Sequence, residues 1–429
     1  MTGNTAFKIL TKKLERESAT TSKFPTKFGN RMIHKVHPSL RTVNKKEYEP
    51  VLVAIGPYHH GRENLQQMEK YKVRMLQLLL SRTGDTLENY VAAMEAIEEE
   101  ARAYCASDIK MDRDKFVVMM ILDGCFILEF LRQGRGFFPR GSAFNTSLFR
   151  HDIFRDLLLF ENQMPLFVLS KLFELTNVGS RDFVRLIRRV CRFSLRRMDK
   201  KRVPEVDSDG IERSLHLLDL VYMTCKDCIM GEETDDMDSN VDGMKCFIKS
   251  ASALKETGVK FEKAKQDVKL CDINFKDGVL TIPQLAISDA TECLFRNFVA
   301  YEQYIRKYDF TNYLVVMDRL INTPKDVELL RHRGIIVNRL GDDESVSNMF
   351  NKIGDFVFVN ISSSKFGDLC TRINEYSENR VHSWMAKLWR EYFNSPWTLI
   401  SIFAAFLLLG LTIVQTVFSV LSYTNPKQS

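Results

Sequence analysis

Between Thr398 and Ser422 the chain carries no Asp, Glu, Lys or Arg, and Leu, Ile, Phe and Val fill fifteen of the twenty-five positions. Wound as a helix, such a stretch reaches roughly 37 Å, enough to cross a hydrocarbon core of about 30 Å. Its large apolar residues favour insertion by roughly 5 to 9 kcal/mol before the small opposing effect of Ser401, Thr412, Gln415, Thr416 and Ser419. Trp397 and Tyr423 stand at its two ends, where amphipathic rings prefer to lie. Core helices of soluble proteins seldom run so long without a charge. Residues 398–422 are therefore read as a transmembrane helix.

The position of that span sets the expected architecture. Nearly all of the remaining chain precedes it, so a globular body should lie on one side of a bilayer, tethered by its C-terminal end. The first residues, MTGNTAFKILTKKLERES, lack the uninterrupted apolar core of a signal peptide. Insertion after synthesis, with the body in the cytosol, is the matching expectation. Arg380, Lys387 and Arg390 before the span, against Lys427 after it, agree with the positive-inside rule. Nine cysteines, an odd count without framework spacing, give no sign of a disulfide scaffold. Two sequons, at Asn145 and Asn360, would accept glycans only if the body faced a lumen.

With 45% hydrophobic residues the body can bury one large core or two smaller ones. The fold class expected is mainly α: a multi-helix globular body, a small β-hairpin element and a C-terminal transmembrane helix. Divided along the chain, this gives a basic lead-in over 1–45 and a helical sub-domain over 46–230. An acidic loop follows at 231–245, then a second helical sub-domain with short strands over 246–380. A juxtamembrane helix at 381–397, the span at 398–422 and a tail at 423–429 complete it.

Periodicity places an amphipathic helix at 65–80, and a strongly acidic one at 87–104 with Glu95 and Glu98 to Glu100 on its wet side. Residues 116–131 are apolar all round except for Asp123, Gly124 and Glu129, which predicts a buried central helix. A carboxylate there needs a cation or several donors, so Asp123 predicts a basic or donor-rich neighbour. In DLLLFENQMPLFVL, Pro165 suits the first turn of a second helical run. Glu161, Asn162 and Gln163 lie between the two apolar walls, placed to satisfy the open backbone groups of both helix ends. Further on, strands are expected at 259–261, 268–275 and 279–282, the last two joined across Asp277-Gly278, a strong hairpin signal. Helices return at 289–308 and continue to 330.

Charge is uneven along the chain. Residues 181–202 hold ten Lys or Arg against two Asp, and Arg181, Arg185, Arg188, Arg189, Arg192 and Arg196 recur at helical spacing opposite an apolar face. Residues 232–242 are the reverse, six acids without a cation, and are expected to form a loop that can screen the stripe.

Several of these runs together resemble the plant-specific family known as domain of unknown function 247. The matching pieces are Tyr48-x-Pro50, then IGPYHHG with Gly56, Pro57, Tyr58, His59 and His60, followed by Met68, Glu69 and Lys72. LDGCFILEFL around Asp123, DLLLFENQMPLFVL with Glu161, Asn162, Gln163 and Pro165, and IPQLAISDATECLFRNFVAYEQ over 282–303 complete them. The resemblance implies a mostly helical, single-pass plant membrane protein without an established enzymatic activity. Some grass members are linked to pollen-side recognition in self-incompatibility.

Reactive constellations are sparse. There is no P-loop, no HExxH, no GxSxG elbow and no dinucleotide glycine fingerprint. His59-His60 beside Glu69 invites a metal reading, but adjacent residues point different ways, and a turn with both imidazoles bonded to backbone is the simpler expectation. Asp123, Asp156 and Glu161 can be drawn as acid–base partners, or more simply as carboxylates that fix packing. The glycines of QGRGFFPRG can cradle a phosphate or serve as a linker, and Cys225-x-x-Cys228 lacks the companions a zinc or redox site needs.

The expectation is thus a non-enzymatic recognition or scaffold protein with no catalytic residue, metal or cofactor. It meets the bilayer through 398–422 and an acidic protein or anionic lipid surface through the arginine stripe. Ser401 and Ala405 offer a small-residue pair for a homodimer. No nucleic-acid contact is expected, because the stripe has no interleaved aromatic platform. A membrane-bound hydrolase or transferase is the reading from another class.

Overall fold

The computed structural model describes residue 12 and residues 32–106, 109–133, 146–176, 180–198, 208–226, 247–265, 268–361, 364–379 and 396–424. The glycine-rich 134–141 segment, Asn145, the acidic run 232–242, Cys228 and the 381–395 approach lie outside them.

The described chain is mostly helical. Its first half contributes α1 (Pro38–Val43), α2 (Gln66–Thr83), α3 (Leu87–Glu95), α4 (Glu98–Ala103), α5 (Arg113–Gln133), α6 (Ser147–Asp156), α7 (Leu166–Glu174), α8 (Ser180–Met198), α9 (Ser208–Arg213) and α10 (Leu217–Cys225). After α11 (Ala251–Glu256) come β1 (Lys260–Lys263), β2 (Asn274–Lys276), β3 (Val279–Ile282) and β4 (Leu285–Ile287). The chain then forms α12 (Asp289–Ile305), α13 (Asp309–Leu320), α14 (Pro324–His332), β5 (Ile336–Asn338), α15 (Asp343–Ile353), α16 (Lys365–Glu378) and α17 (Pro396–Thr424).

α5 is the central helix, as its nearly all-round apolar pattern predicts: fourteen of its residues are buried, and α2, α3, α7 and α8 pack around it. Residues of both expected sub-domains enter one hydrophobic cluster that runs from Val36 to Ile373. The lead-in expected over 1–45 contributes to the body, since Met32, Ile33, Val36 and Leu40 are buried.

Two local expectations need correction. The acidic helix breaks at Ala96–Ile97 into α3 and α4, and Glu98 is buried rather than wet. Glu98 holds Arg102, whose guanidinium lies over the Phe116 ring at 4.4 Å and donates to the carbonyls of Ile109 and Met111. The break lets one acid turn inward to fix that arginine. The strand expected at 268–275 is confined to β2, because residues 268–272 spend their backbone groups on local turns.

The hairpin itself is as expected. Asp277 and Gly278 adopt φ of 51° and 77°, the paired left-handed conformation of a two-residue turn, and join β2 antiparallel to β3. β1 adds parallel to β3, and β4 pairs parallel with β5 across α12 to α14. These two small sheets serve as seams between helices.

α17 differs from every other helix described. Its Phe403–Leu421 stretch is long and apolar enough to cross a membrane, and none of it is buried.

Candidate functional site

Residues 51–56 enter the interior, buried from Val53 on, without a strand partner, so their buried N–H and C=O groups must be met by side chains. The family-motif residues do this. Asp156, at the end of α6, accepts the N–H groups of Val51, Leu52 and Val53 at 2.7–3.1 Å and an Arg155 Nη1–H at 3.0 Å. Asn162 Oδ1 accepts Ile55 N–H at 2.7 Å, while its Nδ2 donates to the carbonyls of Val53 and Asp156. Asp123 Oδ2 accepts Gly56 N–H at 2.8 Å. Lys72, fully buried, lies 2.6 Å from Asp123 Oδ1 and donates to Glu69 and to Ala54 C=O. The cation that Asp123 requires is therefore Lys72.

Gly56 sits at φ +70°, and a Cβ there would lie 2.2 Å from Gln163 O, so only glycine fits. Gln163 donates to the carbonyls of Leu157 and Leu159 and accepts Leu218 N–H. Asn162 and Gln163 thus close the end of α6 as expected. The N-terminus of α7 is served differently: Pro165 is its N-cap, and Leu166 N–H donates to Leu215 C=O.

Glu161 reaches outward to a second set. It accepts Val36 N–H at 2.6 Å, pairs with Arg41, and lies 3.3 Å from His59 Nε2. Burial works to raise its carboxyl, but His59, Arg41 and the Val36 N–H outweigh it and hold it below the ordinary value. Burial lowers His59 in turn, despite Glu161, which favours a neutral ring. The two histidines point apart, His59 buried and His60 exposed. His59 meets a carboxylate where a backbone bond was expected. Tyr58 Oη donates to Ile33 C=O, and Pro57 lies half-buried beside it. Each of Asp123, Asp156 and Glu161 takes a different stretch of backbone. This is a clasp that holds residues 33–61 to the helices.

The arginine stripe lies elsewhere, on α8. Phe183, Leu186, Ile187, Val190 and Cys191 are buried, Arg185, Arg189 and Arg192 exposed, and Arg188 half-buried. The side chains of Arg181 and Arg196 lie outside the described set. Arg189 Nη1 donates to the carbonyls of Leu131 and Arg132, the open end of α5. Beside it, Glu129 accepts Arg82 at 2.8 Å, Arg132 through two nitrogens, and Gln133 at 2.8 Å. Burial works to raise the Glu129 carboxyl, but the bonds from Arg132, Gln133 and Arg82 outweigh it and hold it below its ordinary range. Arg82, Arg132, Arg185 and Arg189 line a cleft of ≈ 290 Å³ together with Glu129. No group of three or more His, Cys, Asp or Glu is placed to hold a metal among the described residues.

The plant family described as DUF247, plant protein of unknown function, matches residues 33–411 of this chain. The chain belongs to the DUF247 family. It is similar to the UPF0481 protein At3g47200 of Arabidopsis thaliana, with 31% identity covering 92% of this chain and 87% of the relative. A putative UPF0481 protein of the same plant, At3g02645, is 23% identical over 89% of each chain. No solved structure matches.

For this DUF247 chain, sequence reasoning found the clasp residues but not all that they touch. Asn297 is one omission: fully buried, it accepts Phe160 N–H and donates to Glu47 C=O, tying α12 to both motif segments. Its only signal is its place within the 282–303 motif. Arg82 and Arg132 are another. A Glu at 129 inside an apolar helix demands cations, and Arg132 stands one turn on, but nothing in the sequence brings Arg82 to the same point.

Proposed function

We propose that this DUF247 chain is a single-pass, membrane-tethered binding protein that presents α8 to an anionic lipid surface or an acidic protein. The observation that carries the reading is α17, uncharged and strongly apolar over Phe403–Leu421 and uncovered by the body. Leaving so much apolar surface in water is very unfavourable at about 25 cal/mol per Å², whereas a bilayer satisfies it. Each Arg near an anionic leaflet adds about 1 kcal/mol, and α8 offers Arg185, Arg189 and Arg192 exposed on one helix. The clasp supports binding over catalysis, since its carboxylates are engaged in holding backbone.

The test uses the full chain in nanodiscs. Replacing part of the phosphatidylcholine by phosphatidylserine should slow hydrogen exchange in α8, and the triple variant Arg185→Glu, Arg188→Glu, Arg192→Glu should lose that protection. Exchange indifferent to lipid charge would discard the leaflet reading and leave an acidic protein as the partner.

A second reading draws on Asn360, exposed in the body. A luminal body bearing a glycan there would suit a recognition determinant of the kind linked to self-incompatibility.

A further inference from the structure

Residues 357–360 leave the turn after α15 as an extended segment whose edges are unequally used. On one edge the Gln303 carboxamide accepts Phe358 N–H at 2.8 Å and donates to Phe358 C=O at 3.0 Å. Asn312 treats Asn360 in the same way, at 3.1 and 3.2 Å. Side-chain amides from α12 and α13 thus stand in for a neighbouring strand. In an extended chain alternate residues direct their backbone groups to opposite edges, so Val357 and Val359 face the other one. Among the described residues neither valine spends its N–H or C=O on a hydrogen bond. Their side chains pack on the core and hold the segment in place.

The aromatic residues of this segment are uncovered: Phe356 and Phe358 are 71% and 64% exposed. Phe356 takes φ 58°, a left-handed conformation that a bulky residue adopts only against strain. An open edge is normally blunted by a charge or a proline, whereas residues 356–359 read Phe-Val-Phe-Val. Burial in hydrocarbon would leave its amides unmet. An added strand satisfies them.

We propose that this edge pairs antiparallel with the same edge of a second copy, about a two-fold axis at Phe358. Val357 of each chain then exchanges N–H···O=C bonds with Val359 of the other. The Phe358 rings meet across the non-hydrogen-bonded position, where aromatic pairs are favoured. The open edge is as short as this pairing needs. The Phe356 turn bounds it on one side and buried Ile361 on the other, so a longer foreign strand gains nothing there. Copies tethered by α17 would stand on one leaflet in one orientation, and an axis along the membrane normal keeps both spans in the bilayer. The inference rests on the tether only for the local concentration it supplies.

Full chain reconstituted in phosphatidylcholine liposomes at a low protein-to-lipid ratio tests it. Under mild oxidation Phe358→Cys should be trapped as a disulfide-linked dimer, because its counterpart lies directly across. Phe356→Cys is more exposed but falls opposite Asn360 of the other chain, and should cross-link about tenfold less. Unaltered chain, whose described cysteines are buried, sets the background. Energy transfer between donor- and acceptor-labelled chains reads the pairing without a cross-link. Val359→Pro removes an N–H from the open edge, and should raise the density needed for half-maximal transfer about tenfold or more with an unchanged melting temperature. Leu148→Ser, an exposed position on α6, should leave transfer unchanged. Should Val359→Pro lower the melting temperature, the cysteine pair decides by itself. Equal cross-linking at 356 and 358, or transfer indifferent to a folded Val359→Pro, overturns the proposal. Absence of transfer overturns it too, and leaves the edge to a strand from another protein. Flotation of the same liposomes separates the two readings: chain that floats without pairing sinks the edge alone, and chain that pairs without floating sinks the tether alone.

Discussion

Lys72 shows how much one side chain can carry in this chain. Its ammonium is fully buried between Asp123 and Glu69 and also holds the Ala54 carbonyl. Burial works to lower its pKa, but the Coulombic pull of Asp123 and Glu69 outweighs that and keeps it charged. Lys72→Met should therefore destabilise the body by about 3–5 kcal/mol, since Asp123 is left buried and unpaired. Adding Asp123→Asn should restore part of that loss, which urea unfolding of the two variants would read. Recovery by the second change separates a charge effect from one of packing. The sequence announces that Asp123 needs a cation, because a carboxylate stands in an apolar helix. It does not say which one, because Lys72 reaches it only once α2 packs on α5. Glu98 fails as a surface residue for a related reason: three acids in a row look solvated, and only the break at Ala96–Ile97 turns one inward.

At the scale of elements, one device recurs. A buried acid sits where a chain segment or a helix begins and accepts its free N–H groups. Asp326 serves the start of α14 and also Ser252 N–H, and Glu302 serves the start of α13. Glu302 accepts Phe310 and Thr311 N–H at 2.9 and 2.7 Å, Thr311 Oγ1–H at 2.6 Å and Tyr222 Oη–H at 2.6 Å. Burial, opposed by those bonds, pushes its pKa up to about 7 from 4.5. A raised folded-state value means that the folded chain binds the proton more tightly than the unfolded one. The stability gained is present in full below pH 4.5 and lost as pH rises through about 7. Unfolding free energy should fall by roughly 3 kcal/mol from this group between pH 4.5 and 8, and Glu302→Gln should flatten that slope. Denaturant titrations at pH 5 and pH 8 check both. Helix positions and the Asp277-Gly278 hairpin were legible because periodicity and turn chemistry are local. The parallel β4–β5 pairing was not, since β4 and β5 have three residues each and meet across three intervening helices.

For the whole molecule, the proposed tether poses the question of which side of a bilayer the body would occupy. With the body in the cytosol, chain extracted from plant membranes should need detergent for release and show no mobility shift on glycosidase treatment. A shift that disappears in Asn360→Gln would place the body in the lumen and favour the recognition reading. The apolar run that forms α17 is plain in the sequence, because length and hydropathy are properties of one contiguous stretch. The cleft was only half visible. Its α8 arginines show as a stripe, whereas Arg82 and Glu129 arrive from two other helices.

The clasp also bears on how the chain is made. Asn44 bonds Glu292, Glu47 bonds Asn297, and Lys35 bonds Tyr304, across separations of 248 to 269 residues. At about 5–20 residues per second, a ribosome needs roughly 12–50 s to supply those later partners. Throughout that interval the Lys35 and Glu47 carbonyls wait for their donors, Tyr304 and Asn297, and the apolar segment that carries them is a natural client for chaperones that bind nascent chains.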